Sequence, residues 1–313
     1  MQSFYIALSV SVPLIVYMTI GMLIRRFGIF SRDQFTALNG MLFRVFIPIL
    51  VFMEVYRADL AGVFRADLFF FVIAGILLAT SISFITSGFI TNDRASRATV
   101  CQGCYRSNFV LFGTIVATSL SNDRGVALIA ALSSVVIPLF AVISVFVFER
   151  TRDGKIDPRH LLKMIVTNPL VIGVATGILF SVLGIKIPSL VITPLSGIVS
   201  ATTPVALVTL GGIISFSSIR QHLSLLTFTV FMRLILIPVI AITVAITLMH
   251  FRGNELIAIL AVFAGPTSVS SSPTAQSMGG NGPLSAEIVA ITSTLCVITL
   301  FVFVFFMSYT GLI

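Results

Sequence analysis

Ten apolar segments, each long enough to cross a bilayer, follow one another along this chain. They span approximately residues 4–24, 35–55, 68–90, 98–119, 125–148, 165–183, 192–216, 223–250, 256–278 and 284–309. A helix needs about 20 predominantly apolar residues to traverse a hydrocarbon core of about 30 Å. In lipid the backbone has to satisfy its own N–H and C=O groups, so each segment is expected to be a helix rather than a strand. The expected fold class is an all-α polytopic membrane protein of ten transmembrane helices.

Composition supports this and excludes much else. Only 10% of the 313 residues are charged, 57% are hydrophobic, and the mean hydropathy is +1.12. Soluble domains carry roughly 25% charged residues. A soluble enzyme, a disordered chain and a nucleic-acid-binding module are therefore excluded. The net charge of +8 comes from basic residues that punctuate the apolar runs, so no nucleic-acid partner is expected. Arg25 and Arg26 follow the first apolar segment rather than precede it, so that segment reads as a retained span, not a signal peptide. Cys101, Cys104 and Cys296 make no disulfide framework. The Cys101/Cys104 pair lies in an apolar run with no second pair of ligands, and reads as two small residues one helical turn apart. No metal and no cofactor are expected.

Basic residues also give an orientation. Loops after spans one, three, five, seven and nine hold 11 of the 19 Lys and Arg residues, those on the other side 5, and Arg44, Arg106 and Arg233 lie within spans. The richer side is expected to face the cytoplasm, leaving both termini outside a multi-pass protein of the plasma membrane.

The two halves resemble each other. Pro13, Gly21 and Gly28 recur as Pro169, Gly177 and Gly184 at one offset of 156 residues, within similar apolar words. Leu38-Asn39-Gly40 is matched by Leu195-Ser196-Gly197, and Pro48 by Pro204. Later, Ala131-Leu132-Ser133-Ser134 resembles Ala290-Ile291-Thr292-Ser293, whereas spans three and eight show no convincing match. The expected organisation is a first five-helix repeat (1–148), a cytoplasmic connecting loop (149–163) and a second repeat (164–313). An odd number of spans per unit makes the second copy insert upside down, an architecture of transporters.

In such folds the substrate sits near the midplane, where paired spans are interrupted. Span nine carries Gly265-Pro266-Thr267-Ser268-Val269-Ser270-Ser271-Ser272-Pro273-Thr274-Ala275-Gln276, and prolines inside a helix remove donors and clash with the preceding turn. Its repeat mate, span four, carries Gln102-Gly103-Cys104-Tyr105-Arg106-Ser107-Asn108. At an offset of 159 the two interruptions coincide. Two broken helices crossing at mid-membrane are expected, with half-helix N-termini that favour an anion facing a cavity. Arg106 at a span centre costs on the order of 2.5–3.5 kcal/mol, so it needs a purpose. A guanidinium holds a carboxylate through two parallel hydrogen bonds.

The expected substrate site is Arg106 with Gln102, Tyr105, Asn108, Ser270, Ser271 and Gln276, with Pro266 and Pro273 holding the helix broken. Asn39, Arg44, Ser134 and Ser293 are secondary candidates. Arg233 is expected to pair with an acid or a carbonyl, and Asn168-Pro169 to start span six. Most acids fall in loops or at span ends; only Glu54 and Glu287 approach membrane depth, and proton coupling would use one of them or the substrate itself. No paired intramembrane aspartates, serine–histidine dyad or phosphate loop appears, so an enzyme is not expected.

These residues resemble the auxin efflux carrier family in its bacterial branch, whose members are similar to malate and malonate permeases. The resemblance covers nearly the whole chain. It rests on Leu38-Asn39 through Phe43-Arg44 and Pro48, Tyr105-Arg106-Ser107-Asn108-Phe109 with Gly113, Thr167-Asn168-Pro169-Leu170, Thr203-Pro204 with Gly211, and the Pro266 break. It implies two inverted five-helix repeats with crossing broken helices, an elevator-like movement, organic-anion cargo and a homodimer. The chain departs from plant carriers in lacking a proline between Arg106 and Asn108 and in its short central loop, which puts auxin itself in doubt as cargo.

The sequence therefore points to a secondary transporter of a small organic anion, a mono- or dicarboxylate such as malate or malonate. Its partners are that anion, membrane lipid and a coupling proton or sodium. The rivals are a sodium-coupled symporter of the bile-acid type with the same architecture, and a membrane sensor or channel without a carrier cycle.

Overall fold

The computed structural model describes residues 2–57, 65–109, 113, 116–117, 120, 123–153, 166–214 and 220–313, with side chains for all of these except 2–11, 14, 123–124, 126 and 152–153. The helices are α1 (Gln2–Arg26), α2 (Arg32–Met41), α3 (Ile47–Arg57), α4 (Ala66–Ile90), α5 (Arg94–Tyr105), α6 (Asp123–Asp153), α7 (Pro169–Val182), α8 (Ser189–Ile213), α9 (Leu223–Phe231), α10 (Ile237–Thr247), α11 (Gly253–Ala264), α12 (Ser271–Ser277) and α13 (Gly282–Tyr309). Among the described residues six helical stretches are long and apolar enough to cross a membrane: Arg32–Arg57, Ala66–Ile90, Ala127–Thr151, Ser189–Ile213, Leu223–Thr247 and Gly282–Tyr309. Pro169–Val182 and Gly253–Ala264 are shorter apolar helices. The chain is thus a helical, multi-pass membrane protein. The central loop expected at 149–163 lies mostly outside the described residues, as does the second half of span four.

Local chemistry sets the boundaries. The Ser31 hydroxyl accepts from Gln34 N while the Gln34 side chain accepts from Ser31 N, a capping box that starts α2. Asn168 caps α7 by accepting from Leu170 N, with Pro169 at the first helical position, as the sequence predicts. Asn281 does the same for α13 through Leu284 N. Turns of π-helix join α2 to α3 (Leu42–Phe46) and α9 to α10 (Met232–Leu236). Each lies just ahead of a proline, Pro48 or Pro238; a wider turn relieves the clash of the ring with the carbonyl four residues back.

α1 and α7 end alike. Gly28 and Gly184 both adopt positive φ, 69° and 63°. Around them Phe27, Gly28 and Ile29 donate to Leu23, Arg25 and Ile24, and Leu183, Gly184 and Ile185 donate to Leu179, Ser181 and Phe180. Every partner in the second set is 156 residues beyond its counterpart, the offset read from the sequence.

Packing separates an inner from an outer layer. α1 lies against α8, and α7 against α3. At the first contact a Cβ on Gly21 would fall 1.9 Å from the Val208 carbonyl oxygen, and one on Gly211 2.0 Å from that of Met18. The backbones touch, which is how small residues let helices associate in lipid. Every residue of α11 from Leu256 to Ala264, and of α5 from Ala98 to Tyr105, is buried. Outer helices instead expose large apolar side chains such as Phe70, Phe89, Ile178, Val182, Leu190 and Ile298, as a lipid-facing surface does. The enclosed helices are the interrupted ones.

Candidate functional site

Both interruptions are real and they meet. α5 stops at Tyr105 and α11 at Ala264, and Ser107 and Thr267 form an antiparallel bridge. Asn108 N donates to Pro266 O at 2.9 Å, and Ser268 N donates to Arg106 O at 3.0 Å. Two strands of two or three residues thus satisfy each other at the crossing, which is how irregular backbone is tolerated inside a membrane protein. The Thr267 hydroxyl donates to Gly103 O at 2.7 Å, and Thr267 N donates to the Thr292 hydroxyl. Pro266 stands at the break, two residues past the end of α11. Pro273 lies in the first turn of α12, where a missing N–H costs little, so it opens the second half rather than interrupting it.

Arg233, 1% exposed, closes the structure from the π-turn behind the crossing. Its Nε donates to Gly265 O at 2.8 Å, Nη2 to Val262 O at 3.1 Å, and Nη1 to Cys104 O at 3.2 Å and Tyr105 O at 3.4 Å. Of the acid and the carbonyl that the sequence left open, carbonyls are its partners. The helical donor for Val262 O would be the N–H that Pro266 lacks.

Arg106, 5% exposed, has different company. Nη1 donates to the hydroxyls of Ser144 and Thr274, both at 3.2 Å, and Nη2 to that of Ser270 at 3.0 Å. Among the described residues no carboxylate pairs with it. Ser144, which the sequence reading missed, is the hub: it also hydrogen-bonds the Tyr105 hydroxyl at 3.0 Å and accepts from Gln102 Nε2 at 3.3 Å, while donating to Phe140 O. Ser268 joins Ser270 at 2.9 Å.

Arg106 opens on a cavity of about 460 Å³, within the range of small-molecule sites. Arg106, Ser107, Asn108, Ser268 and Ser270 form its polar wall; Tyr17, Glu54, Phe109, Phe140, Thr203 and Pro204 are among the other lining residues. Ser107 Oγ and Asn108 Nδ2 are buried without a protein partner. Such atoms cost about 1–3 kcal/mol each if nothing meets them. Tyr17 and Ser144 had no distinguishing signal in the sequence beyond being polar in an apolar run, whereas Ser268 belongs to the polar interruption of span nine.

Of the expected site residues, Arg106, Asn108 and Ser270 line this cavity. Gln102 and Tyr105 stand behind Arg106 as partners of Ser144. Gln276 lies elsewhere, accepting from Asn39 Nδ2 at 2.7 Å. Ser271 and Ser293 are buried with unpartnered hydroxyls but do not line the cavity. The Ser134 hydroxyl bonds its own helix at Ala131 O, and Arg44 is exposed on the outer face. Glu287 is buried against His222, Oε2 to Nδ1 at 2.8 Å, away from the cavity. All three cysteines are buried and none is in a disulfide, and no metal-binding cluster occurs among the described residues.

A family model described as "Membrane transport protein" matches residues 6–304. No curated protein matches the chain. With nearly its whole length matched, the chain belongs to the membrane transport protein family of the auxin efflux carrier type, a family of transporters rather than enzymes.

Proposed function

We propose that this transporter is a secondary carrier for a small organic anion, a mono- or dicarboxylate such as malate or malonate, moved by alternating access through the cavity at the crossing. One observation carries the reading: a buried guanidinium at the crossing of two broken helices, held by neutral hydroxyls, faces a cavity. In a low-dielectric site a cation so placed attracts an anion, and its fork geometry suits a carboxylate. Asn108 and Ser270 line the same wall and orient the cargo. Gln102 and Tyr105 position Arg106 through Ser144. Ser271, Ser293, Ser134 and the Asn39–Gln276 pair act in packing, and Arg44 stands outside the site.

The architecture proposed with it is ten spans in two inverted repeats, 1–148 and 164–313. It is supported by the matching ends of α1 and α7 and by the reciprocal packing of α1 on α8 and α7 on α3. The proposed setting is the plasma membrane, with both termini outside and the protein a homodimer. Glu54 lines the cavity as well. It favours cation coupling, and a coupling proton or sodium would be held there; sodium dependence separates a bile-acid-type symporter from a proton-driven carrier.

The test is uptake of labelled malate and malonate into proteoliposomes, with membrane potential, pH gradient and sodium set separately. Saturable uptake is expected for the wild type. Arg106→Gln should fold and lose at least about tenfold in apparent affinity, the worth of one charge-assisted hydrogen bond. Full transport by that variant would remove Arg106 from the site. Binding without flux would make the protein a sensor, and flux without counterflow a channel.

A further inference from the structure

The cavity at the crossing is lined by two opposite charges, and a carboxylate cargo uses only one of them. Arg106 stands on the wall made by the crossing itself. The rest of the wall comes from α1, α3, α6 and α8, and it carries Glu54, from the last turn of α3. Among the described residues lining the cavity no other is charged. The two do not pair with each other. Each therefore presents its charge to the same enclosed space.

Glu54 is half-buried, and among the described residues no ion pair or hydrogen bond engages its carboxylate. Arg57 follows one turn later on the same helix. It is exposed, donates to the Ser196 hydroxyl and does not line the cavity, so its attraction for Glu54 is screened by solvent. Neither α7 nor α8, which both pack on α3, has an ionisable side chain. Residues 58–64, which follow α3, include no Lys or Arg, and residues 110–122, which follow the crossing in span four, include no charged residue. The hydroxyls of Tyr17 and Thr203 line the cavity beside Glu54.

A charge in an enclosed site needs a partner or it costs free energy. A plain carboxylate satisfies Arg106 and leaves the Glu54 charge over. A dicarboxylate brings a second negative charge to a cavity that already has one, and like charges repel. An ionised carboxylate only accepts hydrogen bonds, and an ammonium only donates them, three at a time. We propose that Glu54 reads an ammonium group on the cargo, so that the cavity takes a zwitterionic amino acid with its carboxylate on Arg106 and its amine at Glu54. The carboxylate end rests on the carrier reading given above; the amine end is what Glu54 adds. The cation that a proton or sodium would otherwise supply at Glu54 then arrives on the cargo itself. Tyr17 and Thr203 offer acceptors for the ammonium's remaining N–H groups.

Calorimetric titration of the purified protein in a neutral detergent, at neutral pH and without sodium, tests this. The probes are glycine, β-alanine and γ-aminobutyrate, each beside the straight-chain carboxylate that has a methyl group in place of the ammonium, and malonate. At least one amino acid should bind about tenfold tighter than its methyl counterpart, the worth of one charge-assisted hydrogen bond, and tighter than malonate. The chain length that does so reports the spacing of the two charges. Glu54→Gln keeps the shape and removes the charge, and the ratio between the pair should fall to near one, with Glu54→Asp in between. The wild-type comparison decides where a variant does not fold. Amino acids that bind no better than their counterparts, malonate binding tighter than all of them, or a ratio unchanged in Glu54→Gln would overturn the inference and leave the carboxylate site at Arg106 standing. Binding of none of these carboxylates would overturn it together with the carrier reading.

Discussion

Replacing Arg233 by methionine isolates what holds the crossing together. Methionine is unbranched and similar in reach, but it has no donor. Three carbonyls now bonded at 3.2 Å or less, those of Gly265, Val262 and Cys104, would lose that donor inside the protein. A buried carbonyl left unpaired costs about 1–3 kcal/mol. The low end applies, because removing the buried charge also removes its desolvation penalty. Three carbonyls at about 1 kcal/mol give roughly 3 kcal/mol. At about 2 °C per kcal/mol for a large domain, the unfolding midpoint should fall by roughly 6 °C. Cys101, Cys104 and Cys296 are buried thiols outside any disulfide, so a thiol-reactive fluorophore reads unfolding directly in detergent. Arg233→Lys keeps the charge but carries its donors on a single nitrogen, and should fall between the two. A midpoint for Arg233→Met within about 2 °C of wild type would refute the idea that this side chain sustains the broken ends.

The other expectations use the same melting assay. Gly211→Ala places a methyl against the Met18 carbonyl and should cost about 1–3 kcal/mol by forcing α1 from α8. Gly40→Ala, in α2 with open space around it, should be neutral or stabilising by up to about 1 kcal/mol. Asp93→Ala should cost about 1 kcal/mol as a lost N-cap. Hydrogen bonds from the Ser96 side chain and backbone hold the Asp93 carboxyl below its ordinary value. Its contribution is therefore complete above the unfolded value near 3.9 and fades as pH falls through the lower folded one. Melting of wild type and Asp93→Asn from neutral to acid pH checks this, since the asparagine variant should lose that share of the acid sensitivity.

Hydropathy made the long helices legible, because lipid demands long apolar stretches and the sequence has to supply them. The interruptions were legible too, since Gly265-Pro266 and a mid-span Arg106 violate the rules that an unbroken lipid-facing helix obeys. Individual partners were not. Ser144 and Thr274 both satisfy their hydroxyls on their own helix, to Phe140 O and Ser270 O, as serines and threonines anywhere in a span do. Whether such a residue also faces Arg106 depends on helix rotation, which local sequence does not encode. Gln276 illustrates the converse: it lies on the polar run of span nine but, past the turn into α12, it meets Asn39 instead of the cavity. Glu54 and Tyr17 reach the cavity only because the first two spans fold beside the crossing.

The two arginines at the crossing differ in what neutralises them, and that difference separates structure from function. Arg233 faces the carboxyl ends of α5 and α11, since its partners are carbonyls of Cys104, Tyr105, Val262 and Gly265. Each helix end carries about half a negative charge. Two ends together amount to about one, enough to balance a guanidinium, so nothing further is required of Arg233. Arg106 is the residue immediately after α5, yet its side chain turns to the hydroxyls of Ser144, Thr274 and Ser270. Hydroxyls accept hydrogen bonds but bring no net charge and no macrodipole. Among the described residues no carboxylate pairs with it, and its positive charge stands at a cavity wall that Glu54 also lines, beside the unpartnered Nδ2 of Asn108. In the proposed reading an organic anion meets that charge, which is why the carrier reading rests on Arg106 rather than on the more deeply buried Arg233.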